Sequence, residues 1–203
     1  MTAHMPSRVA AVERLVAAAG LTHATTAADY DRAVTEKWKP LNGGLLCAKA
    51  WLDPQFKARL LQNGKATAAE LGMAMPEHHG SLVVLENTPQ LHNVICCTLC
   101  SCTAFTIIGM PPGWYKDLEY RARVVRDARK VLGELGLTLP ESMKIRVWDT
   151  TNDTRYMVLP VRPPYTAGWT EDQLASLVTQ DAMIGVARLE APYAPVSSTA
   201  AGA

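Results

Sequence analysis

Four of the five cysteines in this 203-residue chain lie within seven consecutive residues, 96–102. A cluster of thiols this dense brings several sulfurs together in the fold. It indicates a metal site, a redox site or a group of thiols buried together. A framework of disulfide bonds explains them poorly, because the cysteine count is odd and residues 1–7 lack the basic and apolar segments of an export signal. We therefore expect a cytoplasmic protein.

The hexapeptide at residues 97–102, Cys-Thr-Leu-Cys-Ser-Cys, spaces three thiols at positions i, i+3 and i+5. A loop can turn these sulfurs inward with the backbone amides of Ser101 and Cys102 between them. Zinc sites use two separated pairs of ligands, and no second pair is present. Iron–sulfur clusters use four cysteines, and in an extended strand Cys96 points away from Cys97. The pattern favours another transition metal, with a buried thiol cluster and a redox sensor as open alternatives.

The distribution of apolar residues indicates an α+β fold in three parts. Residues 1–75 have a helical pattern with a thin apolar stripe, so they form either an arm on a partner subunit or a layer of their own domain. Residues 76–190 contain short apolar strands and helices, which predicts a second domain with a mixed β-sheet flanked by helices. Residues 191–203, rich in Pro, Ser and Ala, are expected to be disordered.

Local signals predict where several elements begin and end. Lys-Pro-Leu-Asn-Gly-Gly at residues 39–44 predicts a break between helices, and Asp53 before Pro54 predicts the start of the next helix. An amphipathic helix is expected over residues 117–135, and residues 183–186 could form a last strand. The other expected strands are residues 82–85, 94–96, 144–148 and 156–159. The polar face of the long helix, typical of solvent or of a covering partner chain, carries Arg121, Arg123, Arg126 and Arg129.

Charge and hydropathy argue against two classes of partner. Lys plus Arg number 20 and Asp plus Glu number 19, which leaves a formal charge of +1. A nucleic-acid-binding protein normally carries a clear basic excess, so no nucleic acid is expected. No stretch approaches the ~18 uninterrupted apolar residues of a membrane span, so no membrane is expected either.

The hexapeptide, called the claw below, resembles the metal-binding segment of the nitrile hydratase alpha subunit, which is similar to that of the thiocyanate hydrolase gamma subunit. Other segments match the same family in order, within a similarity that runs from about residue 51 to residue 187. These segments are residues 86–89, 92–93, 109–116, 120–123, 147–149, 155–156, 160–163 and 168–171. The fold that this resemblance implies is the layered α/β/β/α arrangement of nitrile hydratase alpha chains.

The resemblance implies a low-spin Co(III) or Fe(III) ion in the claw. Its ligands would be the thiolates of Cys97, Cys100 and Cys102, together with the deprotonated backbone amides of Ser101 and Cys102. The family oxidises the second and third cysteines, which correspond to a sulfinic acid at Cys100 and a sulfenic acid at Cys102. Thr98 matches the cobalt-type members, whereas iron-type members have Ser there, so cobalt is favoured.

The implied activity is that of a lyase, the hydration of a nitrile to the amide. The oxygen of oxidised Cys102 can serve as nucleophile or base, with attack by water at the metal as the open alternative. The resemblance also implies a beta subunit, in one chain or two, whose arginines contact the oxidised cysteines, and a metallochaperone or activator. Asp149 and Arg155 match a supporting pair near the subunit interface, and an ordinary salt bridge across a turn is the alternative.

The sequence departs from the family pattern at two pocket positions. Phe105 stands where many members have Trp, and His78 stands where many have Gln, so both are predicted to line the substrate pocket and a bulky heteroaromatic or nucleoside nitrile is plausible. As loop residues, His78 and His79 are otherwise expected to face solvent. Cys47 and Cys96 are expected to be small buried apolar residues. The alternative functions are a thiocyanate hydrolase subunit and a non-catalytic metal carrier or maturation partner.

Overall fold

The computed structural model describes residues 5–20 and 23–189, with only the backbone described at residues 23–25, and the tail predicted at residues 191–203 lies outside this range. The helices are α1 Met5–Ala18, α2 His23–Arg32, α3 Pro40–Leu52, α4 Pro54–Gln62, α5 Gly64–Glu70, α6 Phe105–Ile108, α7 Leu118–Val124, α8 Ala128–Glu134, α9 Glu171–Leu177 and α10 Gln180–Ile184. The strands are β1 Ser81–Glu86, β2 Leu91–Cys96, β3 Lys144–Asp149 and β4 Thr154–Leu159. A π-helical segment, Ala33–Lys37, follows α2, and 3-10 turns occupy Gly113–Lys116 and Pro164–Thr166.

The chain divides into two compact units after Trp38. In the first unit, the apolar face predicted for α1 is exposed, with Val9, Val12 and Leu15 each more than half accessible. Tyr30 packs edge-on against Trp38, with ring centroids 5.3 Å apart. An exposed apolar stripe is typical of a helix that packs on another chain, and that packing stays a prediction.

The second unit begins at Lys39, so the boundary that we expected near residue 75 lies elsewhere. Helices α3 to α5 belong to the core of this unit, because Leu46, Phe56 and Leu60 are fully buried there. Helix α3 packs against α6 and α9, while α4 and α5 pack on β1. The sequence left open whether this helical region forms an arm on a partner subunit or a layer of its own domain. Residues 40–70 form a layer of their own domain.

The break predicted at residues 39–44 is shorter and earlier than expected: the chain is non-helical at Trp38 and Lys39, but α3 begins at Pro40 and contains both glycines. A Cβ atom on Gly43 would overlap the side chain of Met183, and one on Gly44 would overlap the carbonyl oxygen of Ala175. The two glycines therefore allow α3 to approach its neighbours closely instead of ending a helix. Proline is tolerated at the start because N–H groups in the first helical turn have no acceptor within the helix. A residue without an N–H therefore loses no hydrogen bond there.

Two further elements differ from the sequence prediction. The helix expected over residues 117–135 is two helices, α7 and α8, separated by a non-helical Asp127 with φ −142° and ψ 60°. The apolar period continues across this break, since Val124 and Leu132 are both buried, so the pattern does not reveal it. The strand expected at residues 183–186 is wrong, because Met183 and Ile184 end α10 and Gly185 is its left-handed cap. A short apolar run fits a buried helix as well as a strand.

The four strands pair in parallel, with β1 beside β4 and β2 beside β3. Strand β1 does not pair with β2, and β3 does not pair with β4, although the connections between them are short. Parallel pairing brings like ends of strands together, and the register places Cys96, the last residue of β2, opposite Asp149, the last residue of β3. Helix α10 covers β2 and β4, and α8 covers β3.

The expected start of α4 is confirmed in detail. The Asp53 carboxylate accepts hydrogen bonds from the backbone N–H groups of Gln55 and Phe56, at 2.8 and 3.0 Å. These are two of the donors that a helix N-terminus leaves without an internal partner. Within the described ranges, no helix combines the length and the apolar character needed to cross a bilayer.

The close approach at α3 yields a stability prediction. We expect Gly44→Ala to lower the free energy of unfolding by about 1–3 kcal/mol, because the added methyl forces α3 away from the Ala175 carbonyl oxygen. Gly133→Ala in α8 is the matched control, since a Cβ there has no atom within 4 Å and should raise the stability by up to about 1 kcal/mol. Urea unfolding followed by circular dichroism measures both, and equal effects would contradict the packing role.

Candidate metal centre

The sheet topology gathers the candidate site at one edge. The claw starts at Cys97, directly after β2, and the parallel partner of β2 ends beside it at Asp149. Strand β4 begins at this same edge after a short turn, and its first residue, Thr154, pairs with Ser81 at the start of β1. The segment that precedes β1 therefore also approaches the claw edge, and His79 lies in that segment.

The three claw thiols converge. The sulfur atoms of Cys97, Cys100 and Cys102 all lie within 4.8 Å of one another. The Sγ–Sγ distance is 3.5 Å between Cys97 and Cys100 and 3.0 Å between Cys100 and Cys102. Cys97 is buried, Cys102 is half-buried and Cys100 is exposed, so the cluster opens to the surface on one side.

The backbone of the claw also faces its sulfurs. The N–H of Cys100 donates to the Cys97 sulfur at 3.3 Å. Hydrogen bonds from the backbone N–H groups of Ser101 and Cys102 to Cys100 contribute to a lowered pKa of the Cys100 thiol. The two amides therefore point toward the sulfur cluster, as a claw with sulfur and nitrogen ligands requires.

The thiols differ in how readily they ionise. The hydrogen bond from Cys102 is the main cause that lowers the pKa of Cys100. Burial, followed by the hydrogen bond to Cys100, raises the pKa of Cys102 to about 12, while the positive charge of Arg155 opposes that rise. A second thiolate in this cluster therefore needs a cation to compensate its charge, and a bound metal ion supplies one.

Asp149 holds the start of the claw by two hydrogen bonds to Thr98. One carboxylate oxygen accepts the backbone N–H of Thr98 at 2.9 Å and the other accepts the Thr98 hydroxyl at 2.5 Å. Asp149 and Arg155, the predicted supporting pair, thus each interact with the claw, Asp149 through Thr98 and Arg155 through its charge on Cys102. The alternative of a turn salt bridge with Arg155 is wrong, because the described residues contain no such ion pair.

Arg155 is a buried cation beside the claw. Its Nη1 donates to the carbonyl oxygens of Thr151 and Thr154, at 2.6 and 3.3 Å. Only 5% of the residue is exposed, and its Nε has no hydrogen-bond partner among the described residues. A buried N–H of this kind needs an acceptor, and its positive charge acts on Cys102.

The two histidines have different environments. His78 is exposed, as expected for a loop residue, but the same expectation is wrong for His79, which is buried. The His79 ring lies edge-on to the ring of Phe105, with centroids 5.4 Å apart, and 4.4 Å from that of His78. His79 rather than His78 is thus the histidine in contact with Phe105, and the segment around Gly80 carries no periodic signal from which this could be predicted.

Two anchors of the claw were missed by the sequence analysis. Arg121 in α7 donates from Nε to the carbonyl oxygen of Cys97 and from Nη2 to that of Thr98, both at 2.9 Å. The buried Tyr115 hydroxyl donates to the carbonyl oxygen of Cys102 at 3.1 Å. The assignment of Arg121 to a solvated face is therefore wrong. Its position within the matching segment 120–123 is the signal that could have identified it.

The other two cysteines are small buried residues, as expected. Cys47 and Cys96 are each fully buried. Burial raises the pKa of the Cys96 thiol to about 12. Burial also raises the pKa of the Cys47 thiol well above its ordinary value. Both thiols stay protonated at neutral pH, so neither adds a thiolate to the claw.

The donor set fits a metal ion. Three soft sulfurs lie together, two backbone amides donate to the middle one, and sulfur and nitrogen donors of this kind bind transition metals. No carboxylate or imidazole joins this group among the described residues, so the site differs from the tetrahedral zinc sites of side-chain pairs.

Comparison with known proteins decides the family. The profile of the family "Nitrile hydratase, alpha chain" matches residues 3–187. The chain belongs to the nitrile hydratase alpha-chain family. The predictions of an enzyme subunit of that family and of an α+β fold are thereby confirmed. The share of the chain that this profile covers extends well beyond the claw and includes the helices before β1.

Individual relatives contain different metals. The low-molecular-weight cobalt-containing nitrile hydratase alpha subunit of Rhodococcus rhodochrous is 44% identical over 92% of this chain and 96% of its own. The thiocyanate hydrolase gamma subunit of Thiobacillus thioparus is 46% identical over 73% of this chain and 65% of its own. A solved structure of Fe-type nitrile hydratase from Comamonas testosteroni Ni1, a double mutant with two adjacent histidines replaced by alanine, is 60% identical with a TM-score of 0.84 and 98% coverage of both chains.

The buried histidine yields a prediction about pH. Burial, with the charge of Arg155 as the second cause, lowers the pKa of His79 to about 4. Between about pH 6.5 and about pH 4 the unfolded chain binds a proton that the native chain does not, so the stability falls as the pH falls through this window. We expect His79→Gln to reduce the loss of unfolding free energy between about pH 7 and about pH 5 by about 1–2 kcal/mol.

Urea unfolding at the two pH values measures this difference. His78→Gln is the matched control, because His78 is exposed and its replacement should leave the pH dependence as in the wild type. An identical pH dependence in the His79 variant and the wild type would show that His79 is not buried as a neutral ring.

Proposed function

We propose that this chain is the alpha subunit of a cobalt nitrile hydratase, which hydrates a nitrile to the corresponding amide at the claw. The convergence of three thiols at an open surface is the observation that carries this proposal. Membership of the nitrile hydratase alpha-chain family supports the reaction class. The ligands that we propose are Cys97, Cys100 and Cys102 through sulfur, with Ser101 and Cys102 also through their amide nitrogens.

Each cysteine has a distinct proposed role. Cys97 is buried at the end of β2 and holds the ion as an unmodified thiolate. Cys100 and Cys102 are the more accessible thiols, and accessibility favours oxidation, so we assign the sulfinic acid to Cys100 and the sulfenic acid to Cys102. The Cys102 oxygen is then placed to attack the nitrile carbon or to remove a proton from water. When bound, the ion supplies Lewis acidity that polarises the nitrile.

The oxidised sulfurs carry negative oxygens that need donors. Arg155 is the cation of this chain whose charge acts on Cys102, and its unpartnered Nε supports a role as one such donor. The exposed side of the cluster leaves room for further donors, which we assign to arginines of a beta subunit, in one chain or two. A metallochaperone or activator that loads the ion completes the proposed set of partners, and we place the complex in the cytoplasm.

Cobalt is the ion that we propose, with iron as the competing outcome. Thr98 matches the cobalt type, and its hydroxyl donates to Asp149 at the start of the claw. A cobalt-containing relative is 44% identical, whereas an Fe-type relative is 60% identical. Overall similarity thus favours iron whereas Thr98 favours cobalt, and metal analysis of the protein decides between the two.

The metal and the modified cysteines can be measured together. The chain, matured with its beta subunit, should contain about one cobalt ion per claw, as expected for a single set of ligands. Peptide mass spectrometry should find two added oxygen atoms on Cys100 and one on Cys102. Zinc in the claw, or unmodified Cys100 and Cys102 in the matured complex, would contradict the proposal and favour metal carriage. Iron in place of cobalt would overturn the cobalt assignment alone.

A thiocyanate hydrolase subunit is the second candidate, because the gamma subunit of Thiobacillus thioparus is 46% identical to this chain. The aromatic ring of Phe105 offers no positive charge to an anionic substrate, which favours a neutral nitrile. Steady-state assays with thiocyanate and with a neutral nitrile separate the two functions. Faster turnover of thiocyanate would make the second candidate the function.

The pocket residues allow a test of substrate size. We propose that Phe105 and His78 line the pocket and that the substrate is a bulky heteroaromatic or nucleoside nitrile. Phe105→Trp narrows such a pocket, so it should raise KM for a heteroaromatic nitrile by about 10-fold or more and change KM for acetonitrile much less. Phe56→Leu, at a fully buried core position, is the control and should leave the ratio of the two KM values unchanged. An unchanged ratio in the Phe105 variant would remove this residue from the pocket.

A further inference from the structure

The backbone of the claw loses its sheet partner at a defined point. The pairing of β2 with β3 ends at Cys96 and Asp149, so the carbonyl groups that follow have no neighbouring strand. A carbonyl group without a hydrogen bond is costly when it is buried, and Cys97 is 1% exposed. Another part of the chain must therefore bind the carbonyl group of Cys97.

Helix α7 takes over this function. The Tyr120 hydroxyl donates to the carbonyl oxygen of Ile95 at 2.8 Å. The next residue, Arg121, donates to the carbonyl oxygens of Cys97 and Thr98, both at 2.9 Å. Two consecutive residues of one helix thus follow the β2 backbone out of the sheet and into the claw.

The guanidinium of Arg121 is used differently from its neighbour on the same helix. Arg121 has no carboxylate within ion-pair distance in the described part of the chain. Arg123, two residues later, pairs with Glu119 at 3.7 Å and with Glu134 at 2.6 Å, away from the claw. The charge of Arg121 is therefore not compensated by an acidic side chain, and it lies against a peptide whose thiols become anions when a metal binds.

The remaining anchors leave a clear task for Arg121. Asp149 holds the N–H and hydroxyl of Thr98, and Tyr115 holds the carbonyl oxygen of Cys102 at the far end. Without Arg121, the peptide unit between Cys97 and Thr98 would be held only through its N–H, by Asp149, and the Thr98 carbonyl group would lose its hydrogen bond from the Arg121 side chain. The backbone that directs the buried sulfur of Cys97 would then be less firmly fixed.

We propose that Arg121 is a positioning residue that shapes the claw before the metal enters. Its Nε and Nη2 bind two consecutive carbonyl oxygens from one rigid planar fork, which fixes their spacing in a way that the single nitrogen of an ammonium does not. The proposal rests on the proposed function, since it assumes that the claw binds a transition metal. It assigns no contact with substrate to Arg121.

The test uses the metal-free complex of the chain with its beta subunit and Co(II) as the probe. Co(II) binding to thiolates is followed by the charge-transfer absorption, and the ratio of alpha to beta chains is checked by size-exclusion chromatography. Arg121→Met removes both hydrogen bonds and the charge, and Arg121→Lys keeps the charge and one donor group. Arg123→Met, on the same helix, is the matched control because its ion pairs do not touch the claw.

We expect Arg121→Met to weaken Co(II) binding by about 10-fold or more and to shift the charge-transfer band, as changes behind metal ligands commonly do. Arg121→Lys should bind with an affinity between those of Arg121→Met and the wild type. Arg123→Met should bind as the wild type does. The melting temperatures of the metal-free Met variants should agree, which separates positioning from general stability.

Three outcomes would overturn the inference. If Arg121→Met binds Co(II) with the wild-type affinity and spectrum, the two hydrogen bonds are not needed. If Arg121→Met fails to assemble, the same result in Arg121→Lys leads to the same conclusion. An equal loss of affinity in Arg123→Met would show a general effect of α7. If the wild-type complex itself binds no Co(II) and no Fe(II), the proposed function fails together with this inference, whereas failure of the inference alone leaves wild-type binding intact.

Discussion

The parallel pairing of β2 with β3 is the constraint on which the candidate site depends. Because the two strands run in the same direction and end in register, Asp149 arrives beside the first turn of the claw. A pair of antiparallel strands would place the end of one beside the start of the other, and the carboxylate would then lie at the opposite edge. The contact between Asp149 and Thr98, separated by 51 residues in the sequence, follows from this topology.

The same pairing explains why so much of the site is backbone chemistry. A strand that leaves a sheet has donors and acceptors that the sheet no longer satisfies. In this chain those groups are bound by Asp149, Arg121 and Tyr115, each from a different element. The claw is thus surrounded by side chains that hold its main chain, while its own side chains are left for the ion.

Some of this arrangement follows from the sequence and some does not. The claw residues, Thr98 and the Asp53 helix start are local signals, since spacing and capping chemistry act over a few residues. The helical glycines of α3, the division of residues 117–135 and the burial of His79 depend on what packs against them, and no local pattern contains that information. The anchor Arg121 looks like a surface residue in sequence because a helix period does not distinguish an arginine that faces water from one that binds a carbonyl group.

The three sulfurs of the claw differ in how far solvent can reach them. Cys97 continues directly from a paired strand and is enclosed by protein, whereas Cys100 and Cys102 sit on a loop that opens outward. Such a cluster has one sulfur shielded from solvent and two that solvent reaches. A small reagent that arrives from solvent therefore meets Cys100 first, Cys102 next and Cys97 last, an order of access that the fold itself imposes.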